Sequence, residues 1–139
     1  MDFKRTKKLI AKHEGKRHFV YLCPAGKQTI GIGRNLNDKG LSDEEIDFLL
    51  ENDIKECLDD LKGLFSSWMS LDNVRQAVLV DMRFNLGAGG FRKFKKLIKA
   101  VREKSFSAAR LEMLDSKWAR MVRKRAQTLA AMMETGEWI

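Results

Sequence analysis

Residues 13–36 read HEGKRHFVYLCPAGKQTIGIGRNL, and the stretch changes structural period twice. Just upstream, Phe3, Thr6, Leu9, Ile10 and His13 recur at helical spacing, Asp2 is a suitable N-cap, and Gly15 is placed to end the helix. Downstream, two short apolar runs at 19–22 and 28–33 flank the turn-forming Pro24-Ala25-Gly26-Lys27, the pattern of a β-hairpin. Glycine alternates with isoleucine in the second run, and glycine in a strand marks a bulge or the close approach of another group. Glu14 falls at the helix C-terminus, where the macrodipole disfavours negative charge and makes a carboxyl easier to keep protonated.

Beyond residue 41 the chain reads as helical. Ser42 and Glu45 form a capping box, and Ile46, Leu49, Leu50, Ile54, Cys57, Leu58 and Leu61 follow at helical spacing. Cys57 on that stripe reads as a small buried hydrophobe. The apolar segment from about 71 to 86 predicts a central buried helix, with a break at Gly87, Gly89 and Gly90. Phe91, Phe94, Ile98 and Val101 mark the next helix, and Arg92, Lys93, Lys95, Lys96, Lys99 and Arg102 lie on its other side. Short helices are expected from Ser107 to Leu114, around Trp118, Met121 and Val122, and from Arg125 to Glu134, with Trp138 packing the tail back. The fold class is therefore α+β, mostly α, with a β-hairpin in a small lobe and a larger helical lobe. A cleft between such lobes is a natural ligand site.

Composition narrows the classes of function. Hydrophobic residues make up 44% of the 139 residues and charged residues 33%, with one proline, which argues against disorder and points to a helix-rich protein. The net charge of +8 favours polyanionic partners, whether nucleic acid, anionic lipid or acidic wall polymers, or serves solubility alone. Two cysteines make no disulfide scaffold, and with His13 and His18 they make no plausible zinc site, so two free thiols and no metal are expected. The N-terminus has no signal-like apolar run and no segment is long enough to span a bilayer, so synthesis in the cytoplasm is expected.

The order His13-Glu14-Gly15, Tyr21, Cys23, then Thr29-Ile30-Gly31-Ile32-Gly33-Arg34-Asn35-Leu36 resembles the active-site signature of the phage lysozymes (glycoside hydrolase family 24). That signature has Glu-Gly at the end of the first helix, Asp or Cys nine residues on, and Thr six residues later. VRQAVLVDMRFNLGAGGFRKF resembles the family's central helix and the turn after it. Ser116-Lys117-Trp118, Arg125-Ala126 and Thr135-Gly136-Glu137-Trp138 resemble its C-terminal helices.

The resemblance implies one lysozyme-like domain over residues 1–139. Its small lobe would span about 14–50 and its helical lobe about 60–139, with the N-terminal helix packed on the latter and the active site in the cleft between them. It implies a muramidase that cuts the β-1,4 bond between N-acetylmuramic acid and N-acetylglucosamine in peptidoglycan, without cofactor. Glu14 would be the acid that glycoside cleavage requires. Cys23 would position water or act as nucleophile, and Thr29 would orient the water. Phe84 and Asn85 would line the cleft, and Arg125 would fix the acid's position. Phe94 and Glu112 stand where the family usually has uncharged polar residues, and the segment between Gly33 and Ser42 is short for the family. Such an enzyme, expected as a monomer in the host cytoplasm without stable membrane insertion, would need a holin-like permeabilising protein to reach the periplasmic wall.

Two other readings fit the same residues. One is a non-catalytic wall-binding module, its site decayed at Cys23. The other is a basic nucleic-acid-binding helical protein. It ranks lowest, because no aromatic residues interleave with the lysines and no nucleic-acid motif occurs.

Overall fold

The computed structural model describes all of residues 1–139. The chain divides into two compact units, Met1–Leu49 and Leu50–Ile139.

In the first unit α1 spans Phe3–Glu14, and the Asp2 carboxylate accepts from the Arg5 amide at 3.0 Å as the expected N-cap. A three-stranded antiparallel sheet follows in the order β1 (Arg17–Leu22), β2 (Gln28–Gly31) and β3 (Arg34–Asn35). The hairpin is the one expected, with Tyr21 opposite Thr29 and an irregularity in register between Arg17 and Tyr21. Its turn is closed by the Cys23 amide on the Lys27 carbonyl (3.0 Å) and the Gly26 amide on the Cys23 carbonyl (2.8 Å). The third strand had no clear signal, since two residues cannot display a period. Asn37 and Asp38 secure the polar stretch after it: the Asn37 side-chain carbonyl accepts from the Gln28 amide, and Asp38 pairs with Asn35.

The capping box forms as expected, with the Glu45 amide on the Ser42 hydroxyl (3.2 Å) and the Ser42 amide on the Glu45 carboxylate (3.0 Å). It starts α2, Asp43–Leu64.

The second unit is helical and holds the core. A short 3-10 turn at Trp68–Ser70 leads to α3 (Asn73–Arg92), α4 (Lys95–Arg102), α5 (Phe106–Leu114), α6 (Lys117–Val122) and α7 (Lys124–Thr135). Helix α3 is the buried central helix expected, contributing Val74, Val78, Leu79 and Met82. Helix α5 packs against α4 and α7, and α3 also packs on α7. Of the three glycines after the apolar stretch, only Gly87 breaks the helix, with φ 76° and ψ 168°. That backbone is open to glycine and closed to most side chains. Gly89 and Gly90 continue the helix, because a glycine lowers helix propensity without forbidding the conformation. Both cysteines are free, and Cys57 is buried as read.

The tail departs from expectation: Trp138 is 66% exposed rather than packed back. Arg75 explains it. Its guanidinium donates to the Met133 and Glu134 carbonyls at 2.7 and 2.8 Å and lies 3.6 Å from the centre of the Phe106 ring. The arginine thus fills the end of α7 and lies against Gly136, the residue that caps the helix.

A second polar clasp crosses the core's edge. Asp60 on α2 accepts from Arg83 Nε at 2.6 Å and from Arg92. Burial alone would raise the Asp60 pKa, but the two guanidiniums hold the carboxyl below its usual value. Arg83 is itself buried, with Glu56 3.8 Å away as its other acidic neighbour.

Removing Asp60 strands a buried cation, and breaking a buried pair from one side costs about 3 kcal/mol. Asp60→Ala should therefore lose stability on that order in urea unfolding, and a loss under ~1 kcal/mol would show that the clasp contributes little. Glu45 gives a pH signature. Its bond from Arg34, then the Ser42 amide, hold its pKa at about 2, against an ordinary value of 4.5. A depressed carboxyl stabilises the fold fully above its unfolded pKa and loses that effect as pH falls through the folded value. The melting-temperature gap between wild type and Glu45→Gln should therefore be constant near neutrality and close between about pH 4.5 and pH 2.

Candidate active site

The expected site residues divide between the units: Glu14, Cys23 and Thr29 in the first, Phe84, Asn85 and Arg125 in the second.

Glu14 is the last residue of α1, and Gly15, at φ 76°, caps it by donating its amide to the Ala11 carbonyl. The Glu14 side chain lies on the turn between β2 and β3. A Cβ built on Gly33 would stand 2.9 Å from Glu14 Oε2, 3.0 Å from Cδ and 3.2 Å from Cγ, and Gly33 has φ +69°. The positive φ therefore favours glycine there, and any Cβ would have to displace the Glu14 carboxyl. This is the close approach that the Gly-Ile alternation signalled, and the approaching group is the carboxyl itself.

Cys23 and Thr29 are brought together across the hairpin turn. Thr29, in β2 between Tyr21 of β1 and Asn35 of β3, is 3% exposed, and its hydroxyl donates to the Lys27 carbonyl at 2.9 Å. Cys23 is half-buried. The Lys27 amide first, then the Ala25 amide and the Thr29 hydroxyl, lower the thiol pKa against a smaller opposing effect of desolvation. The hydroxyl has one hydrogen, so it serves the Lys27 carbonyl beside a thiol and can turn to the sulfur beside a thiolate.

In the second unit, Phe84 is exposed and lines a groove of about 540 Å³ with Leu50, Ile54, Val80, Asp81 and Arg125. Arg125 donates Nε to Asp81 Oδ1 at 2.8 Å, a partner its sequence gave no reason to name. Asn85 accepts from the Trp118 indole at 2.7 Å, which spends its carbonyl and leaves its amide hydrogens for a ligand. Phe94 and Glu112 line a separate pocket of about 420 Å³ with Trp118 and several lysines, and the Phe94 and Trp118 rings meet edge to face. No group of three or more His, Cys, Asp or Glu is gathered as a metal site, and no helix is long and apolar enough to cross a membrane.

Sequence reading did not find Arg34, whose guanidinium reaches Glu45 at 2.5 Å and the Gly40 carbonyl at 3.3 Å. Its only signal was its place directly after the glycine turn.

The family model described as phage lysozyme matches residues 11–134, which takes in every one of these groups. The chain belongs to the phage lysozyme family. Its curated relatives include Probable T4-type lysozyme 2 of Dictyostelium discoideum, 27% identical with 94% of each chain covered. Probable T4-type lysozyme 1 of the same organism is 24% identical over the same shares. The Pre-baseplate central spike protein Gp5 of Enterobacteria phage T4 is 26% identical over 92% of this chain but only 27% of its own length. Family membership makes the chain a glycoside hydrolase of the lysozyme type, with the α+β architecture read from its sequence.

Gly33→Ala places a methyl group at a position with φ +69° and 2.9 Å from the Glu14 carboxyl. On the expectation that Glu14 is the acid, wall-hydrolysing activity should fall by about 10²-fold, as a misplacement of about an ångström can cause. The folded state should survive, as judged by circular dichroism; near-native turnover would mean that the contact does not set the carboxyl's position.

Proposed function

We propose that this muramidase uses Glu14 as the acid that protonates the departing glycosidic oxygen, with Cys23 and Thr29 acting together on the other reacting group. The packing of the Glu14 carboxyl on Gly33 carries the reading: it holds a potential proton donor at one place on the surface of the first unit. Fixing the donor removes orientational freedom before the reaction begins.

Thr29 is buried and Cys23 is not, so Cys23 is the group that water reaches. The thiol, with its lowered pKa, orients the attacking water or attacks as thiolate, and Thr29 fixes the sulfur from behind. Phe84 offers an apolar surface to a sugar ring, and Asn85 an amide donor to an N-acetyl carbonyl. Arg125 is held by Asp81 as a fixed cation and takes no part in proton transfer.

The substrate class is peptidoglycan, and the bond is the β-1,4 link between N-acetylmuramic acid and N-acetylglucosamine. We infer further that the chain works as a monomer, is made in the host cytoplasm, and reaches the periplasmic wall only after a holin-like protein has permeabilised the membrane. The cationic residues 92–102 favour an anionic envelope once access is gained.

Turbidity loss of permeabilised Gram-negative cells tests the reading. The wild type should clear them and leave intact cells unaffected. Glu14→Gln should lose about 10²- to 10⁴-fold of the rate, the usual contribution of a general acid. Cys23→Asp should keep substantial activity, and Cys23→Ala and the alkylated thiol should lose most of it without unfolding. A wild type that binds walls but never cleaves them is a binding module, and a Glu14→Gln variant at the native rate removes Glu14 from the chemistry.

A further inference from the structure

The reading of Glu14 as the acid leaves open what holds the Gly33 backbone against it. The turn between β2 and β3 is Gly31-Ile32-Gly33, and both glycines have positive φ. Glycine offers no side chain to pack and many backbone states, so this turn has little stiffness of its own. Strand pairing beside it is short, with Thr29 opposite Asn35, Ile30 opposite Arg34 and the Leu36 amide on the Gln28 carbonyl at 2.8 Å.

The restraint comes from the next residue. Arg34 Nη1 lies 2.5 Å from Glu45 Oε2 and 3.3 Å from the Gly40 carbonyl. Glu45 is itself fixed, because its carboxylate accepts from the Ser42 amide while the Ser42 hydroxyl accepts from the Glu45 amide. A continuous run of contacts therefore joins the capped start of α2 to Arg34, Arg34 by one peptide bond to Gly33, and Gly33 to the carboxyl of Glu14. We propose that the Arg34–Glu45 ion pair is a positioning device for Glu14, acting through Gly33.

The pair adds to stability above the acid range, but its side chains are 28% and 38% exposed, and solvent screening keeps that contribution modest. Position is another matter. Three Glu14 atoms lie within 3.2 Å of where a Cβ on Gly33 would stand, so a shift of the turn changes the space that the carboxyl occupies.

This inference rests on Glu14 being the acid, so its test has one arm that does not depend on catalysis. Three variants separate charge from shape. Arg34→Gln and Glu45→Gln each abolish the ion pair, and the second keeps the capping box, since glutamine serves there as glutamate does. Arg34→Lys keeps the positive charge. In wall hydrolysis, Arg34→Gln and Glu45→Gln should lower kcat about tenfold or more with KM within about twofold, and Arg34→Lys should restore most of the loss. In solution NMR, the side-chain carboxyl carbon of Glu14 should shift or broaden in the two glutamine variants and return towards its native position in Arg34→Lys.

Unchanged kcat and an unchanged Glu14 resonance in folded Arg34→Gln overturn the proposal. So does a loss of activity that merely follows the melting temperature and that Arg34→Lys fails to rescue. If Glu14→Gln proves fully active, the acid assignment falls, and the NMR arm alone still decides whether the pair positions the carboxyl.

Discussion

The Glu14 carboxyl fills the space that a side chain at position 33 would take, so its place depends on the bare backbone surface of Gly33. Glu14 reaches that surface because Gly15 ends α1 directly after it, and the hairpin then folds the chain back so that the β2–β3 turn meets the side chain. A side chain at 33 would displace the carboxyl, and the backbone there, at φ +69°, favours glycine in its own right. The next residue, Arg34, is tied to the start of α2 through Glu45.

The same economy governs the hairpin. One hydroxyl proton, on Thr29, has two acceptors within its turn, the Lys27 carbonyl and the Cys23 sulfur. Backbone amides of the turn favour negative charge on that sulfur. The turn thus favours negative charge at a position where the signature also allows aspartate.

The helical unit is secured by two arginine clasps of different kinds. Arg75 neutralises exposed carbonyls at the end of α7, where the helix dipole favours a cation. Asp60 gathers Arg83 and Arg92, binding α2 to both ends of the break at Gly87. Neither clasp touches an expected catalytic residue. Both make rigid the helix that bears Phe84 and Asn85, and sites on rigid elements hold their geometry better than sites on loops.

The sequence by itself determined the features that depend on a few neighbouring residues. The Asp2 cap, the Ser42–Glu45 capping box, the hairpin around Pro24 and the buried stripes of α3 and α4 are short-range patterns, and periodicity displays them directly. The family signature added the candidates Glu14, Cys23 and Thr29, which no local pattern singles out. Tertiary structure alone decided which groups meet. Arg125 meets Asp81, 44 residues away; Asp60 meets arginines 23 and 32 residues away; and Arg75 meets carbonyls 58 and 59 residues away. The contact of Glu14 with Gly33 belongs to the same class: the sequence marked the glycine as a place of close approach, but the identity of the approaching group depends on how the hairpin folds back on α1. Charge partners so far apart in the chain are chosen by where packing leaves each side chain, and the cost of leaving a buried charge unpaired then settles the match.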